Sequence, residues 1–261
     1  MAKRVIIWPM SDQQITATLN FDPLLLEASV CALAETSAEL RQASALVYDA
    51  YLERGLIASS PRRLYFGPPG DIAVLVVSRR GVAVGTVAMI AERARAGLPV
   101  DEIYPTEMQA LRGRGRCFVE IGMLAVDRTA RKTGAALLLS VAAYRLARAC
   151  GATDIVITAH PDTEAYYRAT MLYERHGDVR SYPGLSADAA TILMHLDVTR
   201  FADRARARFG VEPSLANPYH LGVVHPLPIG DLSPAARARA ITARAAWLDD
   251  SRRSLARAGV A

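Results

Sequence analysis

From residue 36 onward the chain alternates between short apolar runs and longer stretches in which apolar residues recur at helical spacing. Thr36 and Glu39 read as a capping box, and Leu40, Ala43, Val47 and Tyr51 then share one face, predicting a helix that ends near Gly55. Two β-rich runs, 72–78 and 82–91, flank Arg79-Arg80-Gly81 and predict an antiparallel hairpin. The polar stretch 92–115 carries a short helix near 106–111. A strand over 117–126 turns directly into a helix over 134–150, which Gly151 closes. The run 154–159 predicts a buried strand, broken by His160-Pro161, with a helix over 163–171 after it. Strands near 179–182 and 191–198 follow. Helix, β-β, short helix, β-α-β-α, β-β predicts an α/β (α+β) fold, a mixed sheet with helices on both faces.

This pattern occupies 31–200, behind an N-terminal arm over 1–30. Pro213, Pro218, Pro226 and Pro228 make 199–232 read as an extended, wrapping segment. Ser233 and Pro234 fit the Ncap and N1 of a last helix that runs to about Ala258, with Gly259 beyond it. Ile241, Leu248 and Leu255 recur every seven residues among arginines, a stripe that docks on its own domain or on a second copy as a homodimer. A basic amphipathic helix at a membrane surface is the alternative.

Composition narrows the classes. The 261 residues are 51% hydrophobic, yet no uninterrupted apolar run approaches the length of a membrane span, and the N-terminal apolar run is too short for a signal peptide. Cys31, Cys117 and Cys150 lie far apart without CxxC spacing, which points to a reducing cytoplasm and to no metal site. The net charge of +5 (31 basic minus 26 acidic residues) favours anionic partners such as phosphates or an acidic carrier protein. Nucleic acid is disfavoured, because the arginines are dispersed and no nucleic-acid-binding motif is visible.

The chemistry concentrates at Arg131-Lys132-Thr133-Gly134-Ala135-Ala136, an R-x-x-G-x-A segment that opens a helix. Free amides at a helix N-terminus with an arginine in the same turn suit a phosphate or pyrophosphate. Val126, Arg131, Gly134 and Ala136 fall in register on V-x-P-x-x-Q/R-x-x-G-x-G/A, with Arg128 in place of the Pro. The segment thereby resembles the acyl-CoA-binding motif of the GNAT N-acyltransferase superfamily. Glu120 on the preceding strand, His160-Pro161 after the next, and Tyr166-Tyr167-Arg168 with Leu172-Tyr173-Glu174 match the same plan in order. Leu172 stands where a glycine is usual.

Residues 97–104, with Glu107, Leu111-Arg112 and Gly115-Arg116, are similar to the insertion of the N-acyl amino acid synthases. Val47 to Tyr51 with Gly55 resembles the opening helix these share with acyl-homoserine lactone synthases. The resemblance implies that an acyl group passes from an acyl carrier protein, or from CoA, to an amino acid's α-amine. It makes Glu120 the general base and Tyr167 the acid for the departing thiolate. It assigns an amide near Leu124–Val126 to carbonyl polarisation and Arg131, Lys132, Thr133, Gly134, Ala135 and Ala136 to the phosphopantetheine phosphate. Glu120 exposed, or paired with Arg116, is the bland alternative for that acid. Asp101, Glu102, Tyr104 and Glu107 form a patch that could hold the acceptor's ammonium, and Arg112, Arg114 and Arg116 could face a carrier protein. Two other readings stand beside this one: an acetyl-CoA-dependent acetyltransferase of a small amine, and a non-catalytic acyl-thioester-binding module.

Overall fold

The computed structural model describes residues 29–257, apart from 61–62, 66, 69, 93–96, 114, 187–188, 213–216, 218 and 225–226. Helix α1 (Ser37–Glu53) opens on the predicted capping box: Glu39 N donates to Thr36 Oγ1 at 3.2 Å, and Thr36 N donates to Glu39 Oε2 at 3.0 Å. It is preceded by β1 (Ser29–Leu33), a strand not expected from the sequence, which straddles the boundary at residue 30 between the expected arm and domain. Strands β2 (Ile72–Arg79) and β3 (Val82–Ala91) form the hairpin. Arg79 pairs with Val82, and Arg80 and Gly81 have φ of 50° and 78°, the left-handed pair that a two-residue turn requires.

The insertion carries α2 (Pro105–Leu111), followed by β4 (Phe118–Val126) and α3 (Ala135–Ala149). Next come β5 (Asp154–Ala159), α4 (Glu164–Met171), the short β6 (Glu174–Arg175) and β7 (Arg180–Ser181), and β8 (Ala190–Asp197). The sheet order is β1-β2-β3-β4-β5-β8-β6, with β7 also on β8. Every pairing is antiparallel except β4 with β5.

Both faces are covered, so the strands read as continuous apolar runs. Leu75, Val87, Val119, Ile155 and Leu196 pack on one side with Leu138 of α3. Val74, Val76, Ile90, Phe118 and Val156 pack on the other with Leu40 of α1 and the insertion's Tyr104 and Met108. Each buried aliphatic side chain contributes about 1.5–3 kcal/mol.

Beyond Val198 the structure departs from the extended segment expected there. Val198–Phe209 is α5, capped by Asp197 Oδ1, which accepts from Thr199 N at 2.9 Å, with Val198, Phe201 and Ala205 buried. The prolines that favoured an extended reading come only after this helix. Residues His220–Val224 form a π-helical turn. Ile229 then bridges to Cys31, with Cys31 N donating to Pro228 O at 2.9 Å, and covers the edge of β1. Ser233 Oγ caps the last helix, α6 (Pro234–Arg257), by accepting from Ala236 N at 3.2 Å. It docks on its own chain through buried Ala236, Ala240, Arg244 and Trp247, with Ile241 and Leu248 of the expected stripe partly buried against the same cores. The side chain of Leu255, and Pro213, Pro218, Pro226, Ala258 and Gly259, lie outside the described residues, as does the arm over 1–28.

Candidate active site

Strands β4 and β5 pair only from Phe118↔Asp154 to Glu120↔Val156, although β4 continues to Val126 and β5 to Ala159. They part beyond Glu120, so this residue stands at the apex of a wedge that opens toward the C-terminal strand ends. Strand alternation puts its side chain on the face covered by α1, α6 and the insertion. Glu120 is 2% exposed, and Val100 N donates to its Oε2 at 2.8 Å. Burial pushes the carboxyl up to about 7, with the Asp101 charge adding to the rise and the Val100 and Thr158 hydrogen bonds opposing it. Arg116 is not its partner: that guanidinium pairs with Asp154 and with Asp197.

Past Glu120 the β3–β4 register jumps. Ala88 pairs with Gly122 and Thr86 with Ala125, which leaves Met123 and Leu124 opposite Val87 in a β-bulge. Met123 takes a left-handed φ of 54° there. A Cβ added at Gly122 would meet nothing within 4 Å, so the strand offers open space one pleat from Glu120. Leu124 and Val126 pack their side chains on the α3 side. An alkyl-lined cleft lies beside Ala88, the cross-strand partner of Gly122. It encloses about 330 Å³, including its mouth, among Leu40, Ala43 and Val47 of α1, Val74, Ala88 and Met123 of the sheet, and Arg244 and Trp247 of α6.

The β4–α3 loop carries the residues expected to form an anion site. Lys132 and Gly134 have φ of 64° and 89°, turning the chain so that α3 starts at Ala135 with its first amides leading the helix. Thr133 Oγ1 is spent on Ala130 O at 2.6 Å. Arg131 Nη2 and Nη1 reach Glu53 of α1 at 2.6 and 3.0 Å, and Arg128 reaches the same carboxylate at 3.2 Å. Arg131 thus braces the loop against α1 in this state, while Arg128 and Lys132 remain exposed.

Tyr167 on α4 lies in an aromatic cluster, edge-on to Tyr166 at 5.3 Å and to Tyr173 at 5.8 Å. Burial pushes its phenol well above the usual value, so it is protonated at neutral pH and a weaker acid than the free phenol assumed from sequence. The rings of Tyr51 and Tyr65 lie 4.8 Å apart between centroids, and burial pushes both phenols up. Burial also raises the Tyr182 phenol, with the nearby Glu120 carboxylate adding to the rise. Sequence gave no signal for Tyr65 or Tyr182, which reach the site from separate loops.

The insertion's polar residues are committed within the chain. Asp101, expected against an ammonium, takes both forks of Arg112 at 2.7 Å and caps Leu98 N at 2.7 Å. Tyr104, expected beside it, is fully buried and donates toward Thr191 O at 2.7 Å and Asp178 O at 2.9 Å, with Arg180 stacked on its ring. Glu107 pairs with Arg180 at 2.6 Å. These residues shape the insertion. Arg112 and Arg116 are each paired with carboxylates of the chain, and Arg114 lies outside the described residues.

No helix among the described residues is long and apolar enough to cross a membrane, and no cluster of metal-ligating side chains occurs among them. The family profile described as N-acyl amino acid synthase FeeM matches residues 42–197. No curated protein sequence matches the chain. The solved structure of FeeM, an N-acyl amino acid synthase from uncultured soil microbes, is 23% identical, with a TM-score of 0.58 over 67% of this chain and 93% of its own. BjaI, a CoA-dependent acyl-homoserine lactone synthase solved with SAM and isopentyl-CoA, is 17% identical, with a TM-score of 0.53 over 81% of this chain and 98% of its own. The acyl-homoserine lactone synthase LasI is 14% identical, with a TM-score of 0.50 over 71% of this chain and 98% of its own. These likenesses show the shared fold, and the profile, which spans more than half of the sequence, sets aside a non-catalytic module: the chain belongs to the FeeM family of N-acyl amino acid synthases and is an N-acyltransferase.

Proposed function

We propose that this enzyme moves an acyl group from a phosphopantetheine thioester, carried by an acyl carrier protein or CoA, to the α-amine of an amino acid. The observation that carries the reading is Glu120, buried at the apex of the β4–β5 wedge with its carboxyl raised to about 7. A base of that strength is suited to taking a proton from an ammonium bound beside it.

In this mechanism the thioester lies along the wedge, with its phosphate at residues 131–136 and its carbonyl near the bulge. Glu120 removes the amine's proton, and the nitrogen attacks the thioester carbon. A β4 amide among Leu124–Val126 holds the oxyanion, worth about 10²–10³ in rate for such donors. The C–S bond then breaks as Tyr167 gives its proton to the departing thiolate, and the nitrogen's remaining surplus proton restores the phenol as the amide forms. Arg128, Arg131 and Lys132 against the two carboxylates of Glu53 and Asp127 leave the phosphate end of the wedge cationic. The alkyl-lined cleft beside Gly122 suits a substrate with apolar bulk.

The test is mass spectrometry of lipid extracts from cells expressing the chain and its Glu120→Gln variant. N-acyl amino acids that appear with the first and vanish with the second support the reaction and the base. Acetylated small amines alone, formed from acetyl-CoA, would replace the reading with ordinary acetyl transfer.

A further inference from the structure

Arg244 lies on the cleft wall and is 4% exposed, on the helix that follows the matched family segment 42–197. Its Nη2 donates to Pro68 O at 3.2 Å. A Cβ built on Gly67 would stand 2.6 Å from Met123 Sδ and 3.7 Å from Arg244 Nη2, so the guanidinium sits beside the bulge thioether. Burial and the charge of Arg252 pull its pKa down to about 10, which leaves it cationic at neutral pH. Along β4, Met123 is three residues from Glu120, about 10 Å of strand, and Gly122 between them leaves the space open. The guanidinium therefore stands on the wall of a cleft that reaches Ala88, the cross-strand partner of Gly122, and Gly122 is two residues along β4 from the candidate base.

An α-amino acid carries an amine and a carboxylate on one carbon. Presented to this volume, its amine turns toward Glu120 and its carboxylate toward the guanidinium, whose planar donors match a carboxylate in two parallel hydrogen bonds. We propose that Arg244 binds the α-carboxylate of the acceptor amino acid, so that the C-terminal helix supplies an acceptor-recognition residue from outside the matched family segment. The inference rests on the amino-acid acylation proposed above. Trp247, one turn further along the same wall, bounds the space left for the acceptor's side chain.

The test compares the full-length chain with Arg244→Gln and Arg244→Lys in steady-state kinetics. Each is given a long-chain acyl thioester and, as acceptor, the preferred amino acid or its carboxamide, which keeps the amine and lacks the charge. Arg244→Gln is expected to raise KM for the amino acid about 10- to 100-fold, the range for a lost charge-assisted hydrogen-bond pair, with kcat changed little. The carboxamide's KM stays within about threefold, and Arg244→Lys falls between. Equal losses on both acceptors, or no loss on either, would overturn the assignment alone. If Arg244→Gln does not fold, Arg244→Lys makes the same comparison, since it keeps the charge and loses the fork. Should the unaltered chain acylate amines but no amino acid, the proposed function falls, and this inference with it.

Discussion

The backbone N–H of Val100 donates to Glu120 Oε2 at 2.8 Å, which ties the insertion's first turn to the carboxylate at the wedge apex. With burial raising that carboxyl to about 7, the group is part protonated at neutral pH. As a base it must be ionised, so kcat/KM is expected to climb with pH through about 7 and then level off. Glu120→Gln should lose about 100-fold or more and flatten the climb. A wild-type pH–rate profile without a step near 7 would remove Glu120 from this role.

The same shift acts on stability with the opposite sense. The folded carboxyl, raised from its usual 4.5, binds its proton more tightly than the unfolded one. It contributes stability that is fully present below about 4.5 and lost as pH rises through about 7. The difference corresponds to roughly 3 kcal/mol. Urea unfolding at about pH 5 and pH 8 should show Glu120→Gln with a smaller loss across this window than the native chain; equal losses would refute the shift.

Gly122 offers a test of the open space itself. A valine there meets no atom within 4 Å of its Cβ and suits a strand, so Gly122→Val should fold with an unchanged or slightly higher Tm. Its branches would fill the volume between Glu120 and the cleft. Turnover is expected to fall at least about 10-fold with the fold intact, and full activity would place the reacting atoms elsewhere.

In the proposed donor site, Glu53, which pairs with Arg131 at 2.6 Å, would compete with the donor's phosphate for that guanidinium. The pair holds Glu53's carboxyl down to about 2, so the ion pair persists across the physiological range. Glu53→Gln frees the guanidinium and should lower the donor's KM severalfold, whereas Arg131→Ala should raise it about 10-fold. Acceptor KM should stay put in both. Donor titrations at low and moderate salt provide the check, since the effect shrinks with screening.

Asp154 anchors a separate buried network, receiving Thr153 Oγ1 at 2.6 Å and lying 2.7 Å from His195 Nε2, with Arg116 on the same carboxylate. These partners hold its pKa below the usual carboxylate value despite the desolvation that opposes them. Its stabilisation is present above the unfolded value near 3.8 and disappears as pH falls through the lower folded one. Asp154→Asn breaks the buried pairing and should cost about 3–5 kcal/mol, read as a lower Tm. Specific activity of the folded fraction should hardly move.

The order of elements from α1 to β8, the two-residue β6 apart, was legible because of local signals: the Thr36–Glu39 box, the Arg80-Gly81 turn, the glycine after α3. What the local signals missed was the work of distant partners. β1 became a strand by pairing with Val77 and its neighbours, and Ile229 came back to cover it. Asp101 and Tyr104 look exposed in a polar stretch, yet Arg112 and the carbonyl of Thr191 claim them. Glu120 and the residues 131–136 could be named from a sequence pattern. The left-handed Leu172, at φ 59°, sits where the pattern usually has glycine, which shows that the backbone shape persists although the side chain is unfavourable there. Arg244 and Trp247 had no such pattern, because the cleft they wall exists only once the last helix has packed.

That last helix sets an order of events during synthesis. The ribosome makes the wedge, its buried acid and the phosphate loop well before it makes α6. A nascent chain can therefore assemble the thioester end of its site while the cleft still lacks one side. On the proposed roles, a chain cut short after residue 200 would keep the residues assigned to the donor and lose Arg244 and Trp247 from the cleft wall.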